Sequence, residues 1–309
     1  MINVFGDKFV VTGGAGFIGS HIVEELLKQN KEVVFFDNFS NGRKSNLEGE
    51  WHIHPTDILD IQAHWFDGHD VIFHNACSKC TVCMNDPLKD LMVNAWGSFK
   101  VFDAARHSGS KVVHASTGSV YGDMTFEGFK HDDECVYAPK SFYGVSKLAG
   151  EQYLRAFNEY YGLQYVGLRY FHVFGPRQDC GPNGGVVAIF IDKMLNNETI
   201  TIHGDGEQTR SFTYVKYVVK ANFIAANRDD MNGDYYNVAS GIKVSINQLV
   251  AELADIIGER FTIKYAPAKQ GDVKDFNVAN DKIYDCGMED WTDFRTALEE
   301  TVKWYDSQA

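Results

Sequence analysis

Hydrophobic and polar positions follow two rhythms in the first half of this 309-residue chain. Short β-branched or aromatic runs fall at 9–12, 33–37, 51–54, 71–74, 112–116 and 165–169, the length and composition of strands. Between them lie helix-length stretches at 17–29, 87–107 and 141–161, and Pro87 opens the second where a missing N–H does no harm. This alternation predicts an α/β fold built on a doubly wound parallel sheet, with ligands beyond the carboxyl ends of the strands. After about residue 170 the rhythm breaks. Turn-rich segments at 175–176, 180–185 and 203–206 precede or separate helices expected at 186–196, 216–227, 246–258 and 295–305. The pattern predicts a first domain over 1–169 and a smaller α/β cap over 170–309, with the chain returning once to the first domain around 213–240.

Composition narrows the class. With 29 basic and 42 acidic side chains the net charge is −13, which argues against nucleic acid or an anionic membrane as the partner. A hydrophobic content of 44% is enough for a sizeable core, and an aromatic share of 14% argues against disorder. The N-terminus lacks the basic and apolar regions of a leader, and no apolar run approaches the length of a membrane span. A cytoplasmic enzyme or binding protein is the expectation. Six cysteines are too few for a disulfide scaffold. Cys77, Cys80 and Cys83 form a C-x2-C-x2-C run, but the ferredoxin spacing would need a fourth cysteine where Pro87 stands. They are read as half-buried thiols beside a pocket, with no metal.

The segment from Thr12 to Gly19 follows the first strand and opens the first helix, and it fits G-x-x-G-x-x-G through Gly13, Gly16 and Gly19. Such a turn lets backbone approach a pyrophosphate at a helix N-terminus. Asp37 closes the next strand, where a carboxylate takes both ribose hydroxyls and repels a 2′-phosphate. Together they make a Rossmann-type site for NAD rather than NADP. Asp57 has two open readings, a contact to adenine or an N-cap for a helix over 58–66. Tyr143 and Lys147 stand four residues apart and so share one helical face, where a nearby cation favours the phenolate. The hydroxyls of 116–119 end the fifth strand and point to the same crevice.

In this order the motifs resemble the extended short-chain dehydrogenase/reductases, and among them the nucleotide-sugar epimerases, dehydratases and decarboxylases. The resemblance runs through Thr12–Gly19, Asp37-Asn38, Asp57-Ile58, His74-Asn75-Ala76, Thr117 with Val120-Tyr121-Gly122, and Tyr143–Lys147. It continues through Arg169-Tyr170-Phe171, Gly175-Pro176-Arg177 and Gly204-Asp205-Gly206 to Arg210-Ser211-Phe212. It implies NAD held by Gly13, Gly16, Phe17, Ile18, Gly19, Asp37, Asn38, Asp57, Ile58, Ala76 and Asn94, with Lys147 on the nicotinamide ribose and Tyr170 near the carboxamide. It implies Tyr143 as the base for a sugar hydroxyl, with Thr117 orienting that oxygen and Ser119 beside it. For the sugar nucleotide it implies Arg210 on the diphosphate, Lys269 and Asp272 near the nucleotide, and His172 where an asparagine is usual. Ser211 and Lys216 replace expected aspartates and are read as surface drift. A homodimer through the helices at 87–107 and 141–161 is implied as well.

Related dehydratases resemble Thr-Asp-Glu-Val-Tyr-Gly after the threonine, the carboxyls serving water loss; here Gly118 and Ser119 stand instead. C4 epimerisation of a UDP-glucose/UDP-galactose type substrate through a 4-keto intermediate needs neither carboxyl and is the expected reaction. Phe276, implied to wall the sugar's C2 substituent, favours these hexoses over acetamido sugars. The alternatives are a 4,6-dehydratase, a UDP-glucuronate 4-epimerase (Arg177 could face its carboxylate), a decarboxylase, and a non-catalytic NAD-binding sensor.

Overall fold

The computed structural model describes residues 2–47, 53–122, 137–258, 260–268, 278–289 and 293–308. The first half supplies β1 (Lys8–Thr12), β2 (Glu32–Phe36), β3 (Ile53–His54), β4 (Val71–His74), β5 (Lys111–Thr117) and β6 (Tyr165–Tyr170). The second half adds β7 (Val173–Phe174), β8 (Thr199–His203), β9 (Thr209–Arg210), β10 (Thr213–Tyr214), β11 (Asp234–Val238), β12 (Val244–Ser245) and β13 (Thr262–Ala266). One seven-stranded sheet runs in the order β11-β6-β5-β4-β1-β2-β3, and every pairing in it is parallel. The strand order reverses between β1 and β4, so a crevice opens at their carboxyl ends.

Central parallel strands are covered on both faces and therefore read as unbroken apolar runs. Along β1, Phe9 and Val11 enter one core with Phe35, Phe73 and Phe223, while Val10 enters the other with Ile72, Phe102, Leu154 and Phe157. Helices α1 (Phe17–Lys28), α2 (Cys80–Cys83), α3 (Pro87–Asp90), α4 (Ser98–Ser108) and α5 (Phe142–Tyr161) belong to the first half. Helix α5 is capped by Ser141, whose Oγ accepts the Gly144 N–H at 3.0 Å, and it ends at Gly162 with φ +69°.

Two stretches differ from the periodicity-based expectation. Residues 87–107 are not one regular helix: α3 passes through a π-helical segment, Leu91–Gly97, before α4 begins. The helix expected at 58–66 is instead two short 3-10 turns, Ile58–Asp60 and Ala63–Phe66.

The second half adds helices α6 (Val186–Leu195), α7 (Val215–Asn227), α8 (Ile246–Ile257), α9 (Asp281–Asp285) and α10 (Phe294–Asp306) and three two-stranded sheets, β7–β10, β9–β12 and β8–β13; α7 packs on β5 and β6 of the main sheet. Strand β11 lies beside β6 in the main sheet, with Asp234 opposite Val166 and Val238 opposite Tyr170. No helix among the described residues is long and apolar enough to cross a membrane.

Candidate active site

The glycine turn closes tightly on the strands around it. Gly13 has φ +69° and donates to the Phe36 carbonyl at 2.7 Å, and a Cβ on it would stand 2.8 Å from the Ala76 nitrogen. A Cβ on Gly19 would stand 2.1 Å from the Gly13 carbonyl oxygen, so only glycine lets α1 start this close to β1. Gly16 caps α1 with no side-chain bond to the helix, which points an uncapped N-terminus at the crevice. Asp37 is tied to this turn: its Oδ2 accepts the Ala15 N–H at 2.9 Å and its Oδ1 the Phe39 N–H at 2.8 Å. Burial raises the Asp37 carboxyl above its ordinary value, against the pull of these amides.

A cavity of about 440 Å³ lies over the switch point. Of the residues singled out above, Gly13, Gly16, Phe17, Ile18, Gly19, Asp37, Asn38, Asp57, Ile58, Ala76, Tyr143, Lys147 and Tyr170 line it. Asp57 caps the turn at Ile58–Asp60, Oδ1 accepting the Leu59 N–H at 2.9 Å, while Oδ2 accepts from Asn38 Nδ2 at 2.6 Å on the cavity wall. Asn94 stands behind the wall instead: its Oδ1 accepts the Ser78 N–H at 2.7 Å, and its amide donates to Asp90 Oδ1 at 2.7 Å. The side-chain amide atoms of Asn75 and the Oγ of Ser78 line the cavity region but have no hydrogen-bond partner among the described residues.

Thr117 ends β5 and caps a short 3-10 turn, Gly118–Val120, its Oγ1 accepting the Ser119 N–H at 3.2 Å. The Tyr143 phenol lines the cavity near this turn. Burial, then the charges of Cys77, Cys80 and Cys83, push that phenol well above its ordinary range, and the nearby Thr117 hydroxyl pulls it down. Lys147 is 2% exposed. Burial lowers its ammonium, against the charges of Cys77, Glu151, Asp90 and Cys83. Cys77 lines the cavity, while Cys80 and Cys83 stand on α2 outside its lining. Cys83 is the most sequestered, pushed up to about 12 by burial and the Asp90 carboxylate. No group of three metal-ligating side chains occurs among the described residues.

His172 and Arg210 make a second cluster that does not line this cavity. Burial and the Arg210 charge lower the His172 imidazole to about 3, so it is neutral. Arg177 lines the cavity, but its guanidinium pairs with Glu24 at 2.5 Å. Ser211 is buried and bonds Ser240 at 3.1 Å, which corrects its reading as surface drift; Lys216 is exposed and pairs with Glu300 at 2.6 Å. Lys269, Asp272, Phe276 and Cys135 lie outside the described residues.

Sequence reasoning missed a strap across the cavity. Asp179 accepts from Lys79 at 2.9 Å and faces Arg43 at 3.5 Å, and all three line the cavity from separate segments. Nothing local in the sequence signals a pair one hundred residues apart.

The NAD dependent epimerase/dehydratase family model matches residues 9–239. A UDP-glucose 4-epimerase of Mycolicibacterium smegmatis is 32% identical over 314 residues, covering 98% of this chain and 99% of the relative. Among solved structures, a UDP-glucose 4-epimerase of Thermotoga maritima with UDP-glucose is similar at TM-score 0.92 and 33% identity, covering 97% of this chain and 99% of that one. A UDP-N-acetylglucosamine 4-epimerase of Methanobrevibacter ruminantium with UDP-N-acetylmuramic acid is similar at TM-score 0.92 and 36% identity, covering 98% and 99%.

Proposed function

Because the chain belongs to the NAD dependent epimerase/dehydratase family, we propose that it is a nucleotide-sugar 4-epimerase acting on UDP-hexoses of the glucose/galactose type. The observation that carries this reading is that Tyr143 and Lys147 line the cavity from one helix, near a turn whose residues Gly118 and Ser119 offer no carboxyl for dehydration. The full-length likeness to UDP-glucose 4-epimerases supports it.

The residues fit a dinucleotide. The uncapped start of α1 suits a diphosphate, Asp37 suits a ribose diol, and the unpartnered amide of Asn75 faces the ligand side. NAD supplies, when bound, a hydride acceptor and donor for the sugar carbon. Tyr143 takes the proton of the sugar hydroxyl at its phenol oxygen and gives it back, while Thr117 keeps that oxygen in register. Burial alone favours the protonated phenol, so Lys147 has to carry positive charge within the same low-dielectric pocket. Burial works against the Lys147 ammonium, and the acidic groups close to it work in its favour.

The protein acts as a homodimer in this reading. Leu88, Leu91 and Trp96 are 68%, 56% and 47% exposed on one side, and Phe142 and Val145 are 56% and 53% exposed on α5. An apolar surface of this kind calls for a partner, and a second copy meets it with the same residues.

The test is incubation of purified protein with UDP-glucose, and separately with UDP-N-acetylglucosamine and UDP-glucuronate, with products followed by NMR. Conversion of UDP-glucose to its C4 epimer is the expected result. A 4-keto-6-deoxy or decarboxylated product would overturn the reading.

A further inference from the structure

Beneath the reactive groups lies an ion pair that the mechanism does not yet use. Glu151 and Arg169 are each 1% exposed. Arg169 Nε donates to Glu151 Oε1 at 2.9 Å and Nη2 to Oε2 at 2.8 Å, a two-pronged pairing of α5 with β6. The remaining capacity is used as well. Ser116 Oγ donates to Glu151 Oε1 at 2.5 Å, and Arg169 donates to the hydroxyls of Tyr121 at 2.6 Å and Tyr137 at 3.0 Å. Tyr121 then donates to Asn237 Oδ1 at 2.8 Å, and Asn237 to the Ala279 carbonyl at 2.9 Å. The guanidinium also lies over the rings of Tyr121, Tyr137 and Tyr235, 4.9 to 5.0 Å from their centroids.

A buried ion pair is a poor way to gain stability, since desolvating both charges offsets their attraction. Its place explains its presence better. Ser116, held by Glu151, immediately precedes Thr117 and itself lines the cavity. Glu151 is one helical turn beyond Lys147 on α5. Arg169 immediately precedes Tyr170, which also lines the cavity.

We propose that Glu151 is a positioning residue for the reaction: locked by Arg169, it fixes the end of β5 that carries Thr117 and, one helical turn beyond Lys147, contributes negative charge that favours its ammonium. Among the described residues, the leading other charges on Lys147 come from Cys77 and Cys83 in the segment after β4 and from Asp90 on α3, and Tyr143 stands one turn earlier on the same helix. His74 on β4 and His114 on β5 also face it, and both stay neutral, lowered by burial and then by the Lys147 charge. Cys83 is a thiol throughout the neutral range, which leaves Glu151 and Asp90 as the carboxylates. The inference uses the proposed roles of Lys147 and Thr117, but its first readout does not require turnover.

That readout is the side-chain NMR shift of Lys147 against pH, followed in NAD-loaded protein carrying labelled lysine and in Glu151→Gln. The midpoint of the Lys147 titration is expected to fall by about one pH unit, the low end for loss of an adjacent opposite charge. In the epimerase assay the alkaline limb of kcat should move down with it while KM stays put. Glu151→Asp, which keeps the charge, should restore the midpoint. If Glu151→Gln does not fold, Glu151→Met removes the same single charge at similar volume and gives the same readout. A titration midpoint equal to that of the parent, in whichever of these folds, overturns the proposal, even if kcat has dropped. A parent that epimerises no nucleotide sugar, yet shows the midpoint shift, would overturn the functional reading alone.

Discussion

Asp179 and Lys79 meet at 2.9 Å across the cavity, one from the segment after β7 and the other from the segment after β4. Both side chains are less than one-third exposed, so salt screens the pair less than an open surface bridge. Burial would raise the Asp179 carboxyl, but the Lys79 hydrogen bond, the Gly181 amide and the charges of Lys79 and Arg43 bring it below 3.8. A lowered carboxyl stabilises the strap above that ordinary value and ceases to do so as the pH falls through the lowered one. Asp179→Asn should therefore release cofactor about tenfold faster at neutral pH, in line with loss of a charged hydrogen bond. The measurement is NAD release into a trapping dehydrogenase; equal rates would show that the strap does not retain the cofactor.

Tyr143→Phe removes the only hydroxyl on that ring and leaves its packing in place. Turnover should fall about 10²–10⁴-fold. NAD content after gel filtration should stay at the parent level, because the glycine turn and Asp37 are untouched. A variant that still epimerises would exclude the phenol as the base.

Gly19→Ala puts a methyl group where the Gly13 carbonyl oxygen stands, at 2.1 Å. The helix has to shift off the strand, with an expected cost of about 1–3 kcal/mol. Melting with and without NAD distinguishes the effects: the apo midpoint should drop, and the rise produced by NAD should shrink. A variant with the parent's cofactor-induced rise would show that the turn has slack.

Trp96→Glu places a charge in the exposed apolar face shared by the 87–97 segment and α5. Sedimentation velocity should show the parent as a dimer and the variant as a monomer, with NAD still bound. A parent that sediments as a monomer at micromolar concentration would rule out this interface.

Much of the sheet was legible because parallel strands covered on both faces leave apolar runs such as Phe9–Val11 and Val71–Phe73. The turn from Gly13 to Gly19 and the Tyr143–Lys147 pair were legible because each is local, written in a few consecutive residues. What escaped was set by distant segments. The Asp179–Lys79 and Glu151–Arg169 pairs have no periodicity, and neither partner is unusual where it stands in the sequence. The two-residue strands β7, β9, β10 and β12 are too short to alternate. The π-helical segment at Leu91–Gly97 escaped because its apolar spacing reads as an ordinary helix.

Strand β11 follows β6 by more than sixty residues yet completes the sheet beside it, and Tyr235 fills the space over Gly167 so closely that a Cβ there would lie 2.0 Å from the ring. During synthesis, the open edge of β6 has to wait for that strand. A nascent chain stopped near residue 170 carries the nucleotide turn but exposes an unpaired, apolar sheet edge, the form most prone to associate with its neighbours. The main sheet is complete only once the chain as far as Val238 can lie beside β6.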